Sequence, residues 1–187
     1  MILVIMRHGQ TQYNANRWVQ GQINIPLNDF GRKQARDAAN MIIEKKETFD
    51  VIASSPLSRA LESAYIISKK LKMKNPIYVD HAFIERDFNQ LDGVSLDIAL
   101  PLVRSKNYTH DGYEIDEMLI ERVKNAAFRL AHKMGDRSVL MVSHSHVIKS
   151  LLISCDPVQF SFADTIVNNG ELIYFEIKNH TIKLLKK

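Results

Sequence analysis

The chain has 187 residues, 45% of them apolar and 25% charged, which is usual for a globular protein of this length folded as one domain over 1–187. The net charge of +4 is small and the basic residues are scattered, so the composition excludes a typical nucleic-acid-binding protein. The single cysteine, Cys155, excludes an internal disulfide framework. The apolar run over 1–6 is too short for a membrane span or a secretory signal. We therefore expect no membrane partner and a cytoplasmic location.

Strand-like and helix-like segments alternate along the chain. The predicted strands cover residues 2–6, 51–53, 77–79, 139–142, 172–177 and 181–185, the last two forming a hairpin. The predicted helices cover residues 31–46, 56–72 and 115–134, with a further helix beginning near 148. This alternation predicts an α/β fold with a largely parallel central sheet, and the continuous apolar strands predict helices on both faces, that is, three α/β/α layers.

Two of the predicted helices have capping signals before them. Asn28 or Asp29 can cap the helix over 31–46, because a short polar side chain accepts a hydrogen bond from the first turn. Ser55 is expected to cap the next helix, with Pro56 at the first helical position, where a missing N–H costs least.

Charged side chains follow three of the predicted strands. They are Arg7 and His8 after the first strand, Arg59 one helical turn after the second, and His144 after the strand over 139–142. Ligands of open α/β sheets bind outside the carboxyl ends of the strands, so these side chains are expected to meet there. Each one alone is more often a surface or structural residue. Two guanidiniums and two imidazoles together would repel one another without an anion, and a phosphate suits the guanidinium fork best.

Five ordered sequence blocks, spanning nearly the whole chain, resemble those of the histidine phosphatase superfamily, the phosphoglycerate-mutase-like proteins. They are Arg7-His8-Gly9 with Asn14, Pro26-Leu27-Asn28 through Gly31 to Gln34-Ala35, Ser55-Pro56-Leu57-Ser58-Arg59-Ala60, Glu85 through Gly93, and Val142-Ser143-His144. The resemblance implies the phosphoglycerate-mutase-like fold and a reaction that needs no metal or other cofactor. The sequence departs from the family at Ser145 and His146, where a glycine or another small residue is common, and at Asn89, where glycine is usual.

The resemblance also implies a role for each matching residue. His8 would be the nucleophile that takes the phosphoryl group as phosphohistidine, which suits a neutral imidazole near pH 7. Glu85 would protonate the leaving alkoxide and then take a proton from the attacking water. The phosphoryl oxygens would be held by Arg7, Arg59, His144 and Asn14.

Specificity is expected from side chains around the mouth of the pocket. The candidates are Gln20, Gly21, Phe88 and Ser145, with Arg17, Trp18, Tyr108 and Tyr113 beside them. The resemblance aligns Gln20 and Gly21 with substrate-contacting positions of the mutase branch. Arg17 or Arg86 could bind a second anionic group such as a carboxylate, and a solvated role is equally compatible with the sequence. His146 is expected in the wall of the pocket, since no Asp/His cluster completes a metal site with His144.

The family implied by these blocks contains both phosphatases and mutases. A mutase must shield its phosphorylated intermediate from water under an enclosing lid. Here only residues 94–111 separate Gly93 from Gly112, and their basic residues are Arg104, Lys106 and His110. We therefore predict hydrolysis of a small phosphate monoester, with mutase-type phosphoryl transfer and phosphoprotein dephosphorylation as alternatives. A non-catalytic phosphate sensor is disfavoured, because it would not need Glu85.

Overall fold

The computed structural model describes residues 1–105 and 108–186, and a six-stranded sheet forms its centre. The strands are β1 (Ile2–Arg7), β2 (Val51–Ser54), β3 (Tyr78–Val79), β4 (Ser138–Ser143), β5 (Leu172–Lys178) and β6 (Thr181–Lys186). Their order across the sheet is β3-β2-β4-β1-β5-β6. The first four strands in this order run parallel to one another. Strand β5 is antiparallel to β1, and β6 is antiparallel to β5. The predicted α/β fold with a largely parallel sheet is confirmed.

The described part of the chain contains six α-helices. They are α1 (Gln12–Ala15), α2 (Asp29–Glu44), α3 (Ser58–Lys70), α4 (Leu96–Val103), α5 (Asp116–Met134) and α6 (Ser145–Cys155). Single 3-10 turns lie at His81–Phe83 and Asn89–Leu91. No helix in the described part of the chain is long and apolar enough to cross a membrane.

The central strand β1 shows why its sequence is continuously apolar. Leu3 and Ile5 face the core formed with α5 and α6, while Val4 and Met6 face the core formed with α2 and α3. Successive strand residues point to opposite faces, so a strand covered on both sides needs apolar residues at every position. The three-layer arrangement predicted from this pattern is therefore confirmed.

The helix starts are only partly as predicted. Asn28 caps α2, and its side chain accepts a hydrogen bond from the Gly31 backbone N–H at 2.8 Å. The predicted cap at Ser55 is wrong, because α3 begins at Ser58 with Leu57 as its N-cap. The last helix, α6, begins at Ser145, three residues before the predicted position.

Two helices, α1 and α4, have no counterpart in the sequence prediction. The first is a single turn held by reciprocal hydrogen bonds between Thr11 and Asn14, a capping box too short to give a periodic pattern. The second is apolar at most of its positions and contains Pro101, which is typical of neither an amphipathic helix nor a strand. It packs in a separate apolar cluster that includes Val19, Phe88 and Tyr113.

The strand register brings three chain segments to one edge of the sheet. Arg7 pairs with Ser143 between β1 and β4, and Ser54 pairs with Val142 between β2 and β4. Ladder-type hydrogen bonds continue for one more residue, with the His8 N–H donating to the Ser143 carbonyl at 2.9 Å. The residues that follow all three strands therefore lie at the same level.

Candidate active site

His8 is buried at this edge with a defined tautomer. Its Nδ1 lies 2.7 Å from the carbonyl oxygen of Gly9, which can only accept, so Nδ1 carries the proton and Nε2 carries the lone pair. Burial, followed by the nearby charge of Arg59, lowers the pKa of the His8 ring well below its usual range. The imidazole is therefore neutral near pH 7, with Nε2 as the nucleophilic nitrogen.

Arg59 contacts the other ring nitrogen of His8. Its Nε donates to His8 Nε2 at 3.2 Å. Its two terminal nitrogens donate to the backbone carbonyls of Ile23 and Gly21, each at 2.7 Å. Burial lowers the pKa of Arg59 to about 10, so the guanidinium stays charged at neutral pH. The side chain is 1% exposed and is fixed by these carbonyls against the nucleophile.

Arg7 and His144 complete the surroundings of His8. The Arg7 Nη1 donates to the Val167 carbonyl at 2.6 Å, and the His144 ring lies 5.2 Å from the His8 ring, centroid to centroid. Burial, then the charge of Arg59, lowers the pKa of His144 well below its usual range. Arg7 Nε and His144 Nδ1 are buried and have no hydrogen-bond partner within residues 1–105 and 108–186.

Glu85 enters the same cluster from the segment before α4. Its Oε1 accepts hydrogen bonds from the backbone N–H groups of Arg86 at 2.9 Å and His146 at 3.2 Å. Burial raises the pKa of the Glu85 carboxyl, but His146, then His144 and the Arg86 N–H, lower it by more, to well below its usual range. Glu85 is thus ionised in the ligand-free protein.

The loop after His8 is fastened to the start of α2. The Gln10 carbonyl accepts from the Asn28 N–H at 3.0 Å, and the Gln10 N–H donates to the Gln34 side chain at 2.8 Å. Gly31 lies so close that a Cβ on it would overlap the Gln10 backbone, and a Cβ on Gly9 would overlap Gly31. The block from Asn28 to Gln34 therefore positions the nucleophile through its loop.

Replacing Gly31 with Ala is expected to lower the free energy of unfolding by about 1–3 kcal/mol, because the new methyl group overlaps a backbone that is hydrogen-bonded on both sides. Chemical denaturation measures the change. Arg36→Ala, on the exposed side of the same helix, is the control and should change stability by less than about 0.5 kcal/mol. Equal stability of Gly31→Ala and the control would contradict the close approach.

The structure brings most of the predicted specificity residues towards this site. Gln20 accepts a hydrogen bond from the Thr11 hydroxyl at 2.7 Å, and the Asn14 side chain accepts one from the Thr11 backbone N–H. Gly21, at φ +46°, supplies a carbonyl to Arg59, and a Cβ there would overlap the Asp92 carboxylate.

Phe88 and Ser145 lie near Glu85, because Phe88 contacts His146, whose backbone N–H binds Glu85, and Ser145 is the residue before His146. The Phe88 ring makes an edge contact with the His146 ring at 5.1 Å. Tyr113 packs on Arg86, whose guanidinium donates to the Tyr113 hydroxyl at 3.0 Å and also pairs with Asp116. Tyr108 packs against Tyr113.

Arg17 and Trp18 lie apart from these groups. Arg17 forms an ion pair with Asp97 at 2.8 Å, and both side chains are more than half exposed. Trp18 is 40% exposed and packs edge-on against Tyr13. Both residues therefore have surface partners of their own.

Four residues around the site were not predicted as part of it. Ser55 lies 2.6 Å from His144 Nε2, and Asn169 donates to the His8 carbonyl at 2.9 Å. Arg122, on α5, binds the carbonyls of Ala82 and Ile84 at 2.8 and 3.0 Å and so supports the segment that carries Glu85. Lys149 lines the adjacent cavity. Only Ser55 had a signal in the sequence, its place at the end of β2.

A cavity of about 540 Å³ opens beside the catalytic candidates. Arg7, Ser145, His146, Arg104 and Lys149 are among the residues that line it. A larger groove of about 910 Å³ includes Met1 and lies at the amino ends of the parallel strands, away from these groups. Within the described ranges, no three His, Cys, Asp or Glu side chains are grouped so that they could hold a metal ion.

Comparison with known proteins establishes the family. The sequence profile of the Histidine phosphatase superfamily (branch 1) matches residues 3–187, and the chain belongs to this family. It is 33% identical over 151 residues to the uncharacterized phosphatase PhoE of Bacillus subtilis, a match that covers 79% of this chain and 74% of that protein. The resemblance inferred from the five sequence blocks is thereby confirmed.

Solved structures show the same fold. Bacillus stearothermophilus YhfR superposes with a TM-score of 0.88 at 22% identity, over 100% of this chain and 96% of that one. The mycobacterial glucosyl-3-phosphoglycerate phosphatase in complex with VO3 superposes with a TM-score of 0.82 at 23% identity, over 99% and 97% of the two chains. The phosphoglycerate-mutase-like architecture is therefore confirmed.

Proposed function

We propose that this histidine phosphatase hydrolyses small phosphate monoesters through a phosphohistidine formed on His8. The observation that carries the proposal is the neutral His8 ring, whose Nε2 lone pair lies among buried cations. A neutral imidazole is a good nucleophile, and the cations around it can stabilise the charge on the transferring phosphoryl group. PhoE, the relative from B. subtilis, is named as a phosphatase, which supports the same reaction.

Two of the unpartnered polar groups, both beside His8, indicate where the phosphoryl oxygens would bind. A buried polar atom without a hydrogen bond costs about 1–3 kcal/mol, and Arg7 Nε and His144 Nδ1 are both in this state. An oxyanion between them would accept from both. Arg59 can add a third contact when its Nε turns from His8 to the phosphoryl group.

The reaction then has two steps. In the first, His8 Nε2 attacks phosphorus, the ester P–O bond breaks, and the departing alkoxide takes a proton from Glu85. In the second, water attacks phosphorus, the P–N bond breaks, and the water proton passes to the Glu85 carboxylate. His8 is returned to its neutral form, and inorganic phosphate leaves.

The low pKa of Glu85 requires a source for the first proton. The ligand-free carboxyl is ionised, whereas a phosphate monoester near pH 6 is partly a monoanion. A bound monoanion can give its proton to Glu85, because the guanidiniums of Arg7 and Arg59 favour the dianionic phosphoryl group. The proton needed by the leaving group thus enters with the substrate.

Hydrolysis of a small ester is favoured over the two alternatives by the short segment that covers the site and by the size of the cavity. The segment over 94–111 contributes one eight-residue helix, α4, whose C-terminal Arg104 bonds the Ala163 carbonyl at 2.9 Å. Of the other two basic residues noted in this segment, His110 packs on Tyr108, and Lys106 lies outside the described residues. This short cover leaves water access for hydrolysis, and a 540 Å³ cavity is of the size that small molecules occupy.

We also propose a domain organisation and a cellular location for the chain. We treat residues 1–187 as one domain, supported by the single sheet that β1 shares with β5 and β6. We also propose a cytoplasmic location, because the sequence has a single cysteine, Cys155, and so no internal disulfide.

The test is hydrolysis of p-nitrophenyl phosphate with and without EDTA. We expect the rate to be unchanged by chelation, because side-chain cations can supply the charge that a metal would supply, and to fall on addition of vanadate, a phosphoryl mimic. Product analysis with 3-phosphoglycerate should give inorganic phosphate and no 2-phosphoglycerate. A rate lost in EDTA, or an isomerised product, would contradict the proposal.

A further inference from the structure

Three cationic side chains, those of Arg86, Arg104 and Lys149, line the 540 Å³ cavity. Lys149 Nζ donates to the Phe162 carbonyl at 2.7 Å, and Arg104 Nη2 donates to the next carbonyl, that of Ala163, at 2.9 Å. The Arg86 guanidinium lies 4.4 Å from the centre of the Phe162 ring. Since all three groups contact Phe162 or its neighbour Ala163, their charges are close together.

These cations are incompletely neutralised. Arg86 has a carboxylate partner in Asp116, but Lys149 and Arg104 have none within residues 1–105 and 108–186. Burial lowers the pKa of Lys149 to about 8, and the surrounding arginine guanidiniums add to the decrease, while the Glu85 carboxylate opposes it. The arginine charges around this cavity thus act on the Lys149 ammonium group.

These three cations lie outside the proposed phosphoryl site but line the same cavity as Arg7. Lys149 is one helical turn after Ser145 on α6, and the two line one cavity together with Arg7. None of the three cations hydrogen-bonds His8 or His144 in the described structure. A phosphoryl group on His8 would therefore leave Lys149 and Arg104 free to bind something else.

We infer that this cavity binds a second anionic group, a carboxylate or a further phosphate, on the same substrate molecule that carries the scissile phosphate. The inference rests on the proposed function and names its substrate class. The cavity is also lined by apolar residues, which suit a short carbon chain joining the two anions. They are Leu100, Val103, Ile166 and Val167.

The inference is tested with substrates matched in length, namely propyl phosphate, the phosphate ester of 3-hydroxypropionate, and propane-1,3-diol bisphosphate. We expect kcat/KM to be about 10- to 100-fold higher for at least one doubly anionic ester than for propyl phosphate, as one or two charge-assisted hydrogen bonds would give. The better of the two identifies the second group as a carboxylate or a phosphate.

Lys149→Gln and Arg104→Gln locate the effect in the cavity. Glutamine keeps an N–H donor for the Phe162 or Ala163 carbonyl and removes the charge, so each variant should lower the preference for the doubly anionic ester about 10-fold, mainly through KM. Lys70→Gln, an exposed lysine at the end of α3, removes the same charge elsewhere and should leave the preference unchanged.

The outcomes separate this inference from the function on which it rests. Equal kcat/KM for all three esters, or an unchanged preference in both cavity variants, would overturn the second-anion site and leave the phosphatase intact. If none of these esters nor p-nitrophenyl phosphate is hydrolysed, the proposed function fails and the inference fails with it.

Discussion

Replacing His8 with Asn is expected to reduce hydrolysis of every phosphate ester by about 10³- to 10⁶-fold, the range found when an enzyme loses its nucleophile. Asparagine can keep the hydrogen bond to the Gly9 carbonyl that holds the ring, but it has no nitrogen lone pair to attack phosphorus. Steady-state rates measure the loss, and thermal unfolding should show that the fold is kept.

The covalent step gives a second readout for His8. Wild-type protein quenched during turnover should carry a phosphoryl group that is lost in acid and kept in alkali, as expected of a P–N bond, and the His8→Asn protein should carry none. His132→Asn, on the exposed side of α5, is the matched control and should behave as wild type. A variant that keeps more than about one tenth of the rate, or a phosphoryl group on another residue, would rule out the proposed intermediate.

Replacing Glu85 with Gln is expected to slow hydrolysis of propyl phosphate by about 10²- to 10⁴-fold, the usual contribution of a general acid. Glutamine retains an oxygen for the N–H groups of Arg86 and His146, so the segment should keep its position. The loss arises because an alkoxide is a poor leaving group without a proton, and the amide cannot supply one.

The leaving group distinguishes proton donation from a structural effect at Glu85. The p-nitrophenolate anion is stable without protonation, so p-nitrophenyl phosphate should be slowed much less than propyl phosphate when phosphorylation limits the rate. Pre-steady-state bursts of p-nitrophenol measure that step directly. Glu62→Gln, on α3, is a matched control and should show no dependence on the leaving group. An equal loss for both esters in Glu85→Gln would show that Glu85 only supports the fold.

The residues that could be located from sequence alone are those governed by a local rule. Arg7 ends a buried strand, and His8 and His144 each follow one directly. Since parallel strands end at one edge of the sheet, the strand assignment predicts that these residues lie close together. Glu85 lies in a segment without regular structure and was found only through the family resemblance. Its position depends on the His146 N–H, 61 residues further along the chain.

The residues that could not be located depend on contacts between distant segments. Ser55 has the local features of a helix cap, but His144, 89 residues later, takes its hydroxyl instead. The grouping of Arg104, Lys149 and Phe162 requires that the end of α4 and the loop after α6 lie on the same side of the site. No periodicity or spacing in the sequence encodes such a meeting.

The hydrogen bond from Arg59 to His8 Nε2 makes the nucleophile latent. While the guanidinium donates to that lone pair, the ring has no free electron pair to offer to a neutral electrophile. In the proposed reaction, an anionic phosphoryl group would draw Arg59 towards itself and so free the nitrogen as the phosphorus comes within reach. Binding of the anion and reactivity of the ring would then depend on one and the same contact, which would restrict the chemistry of this imidazole to anionic ligands.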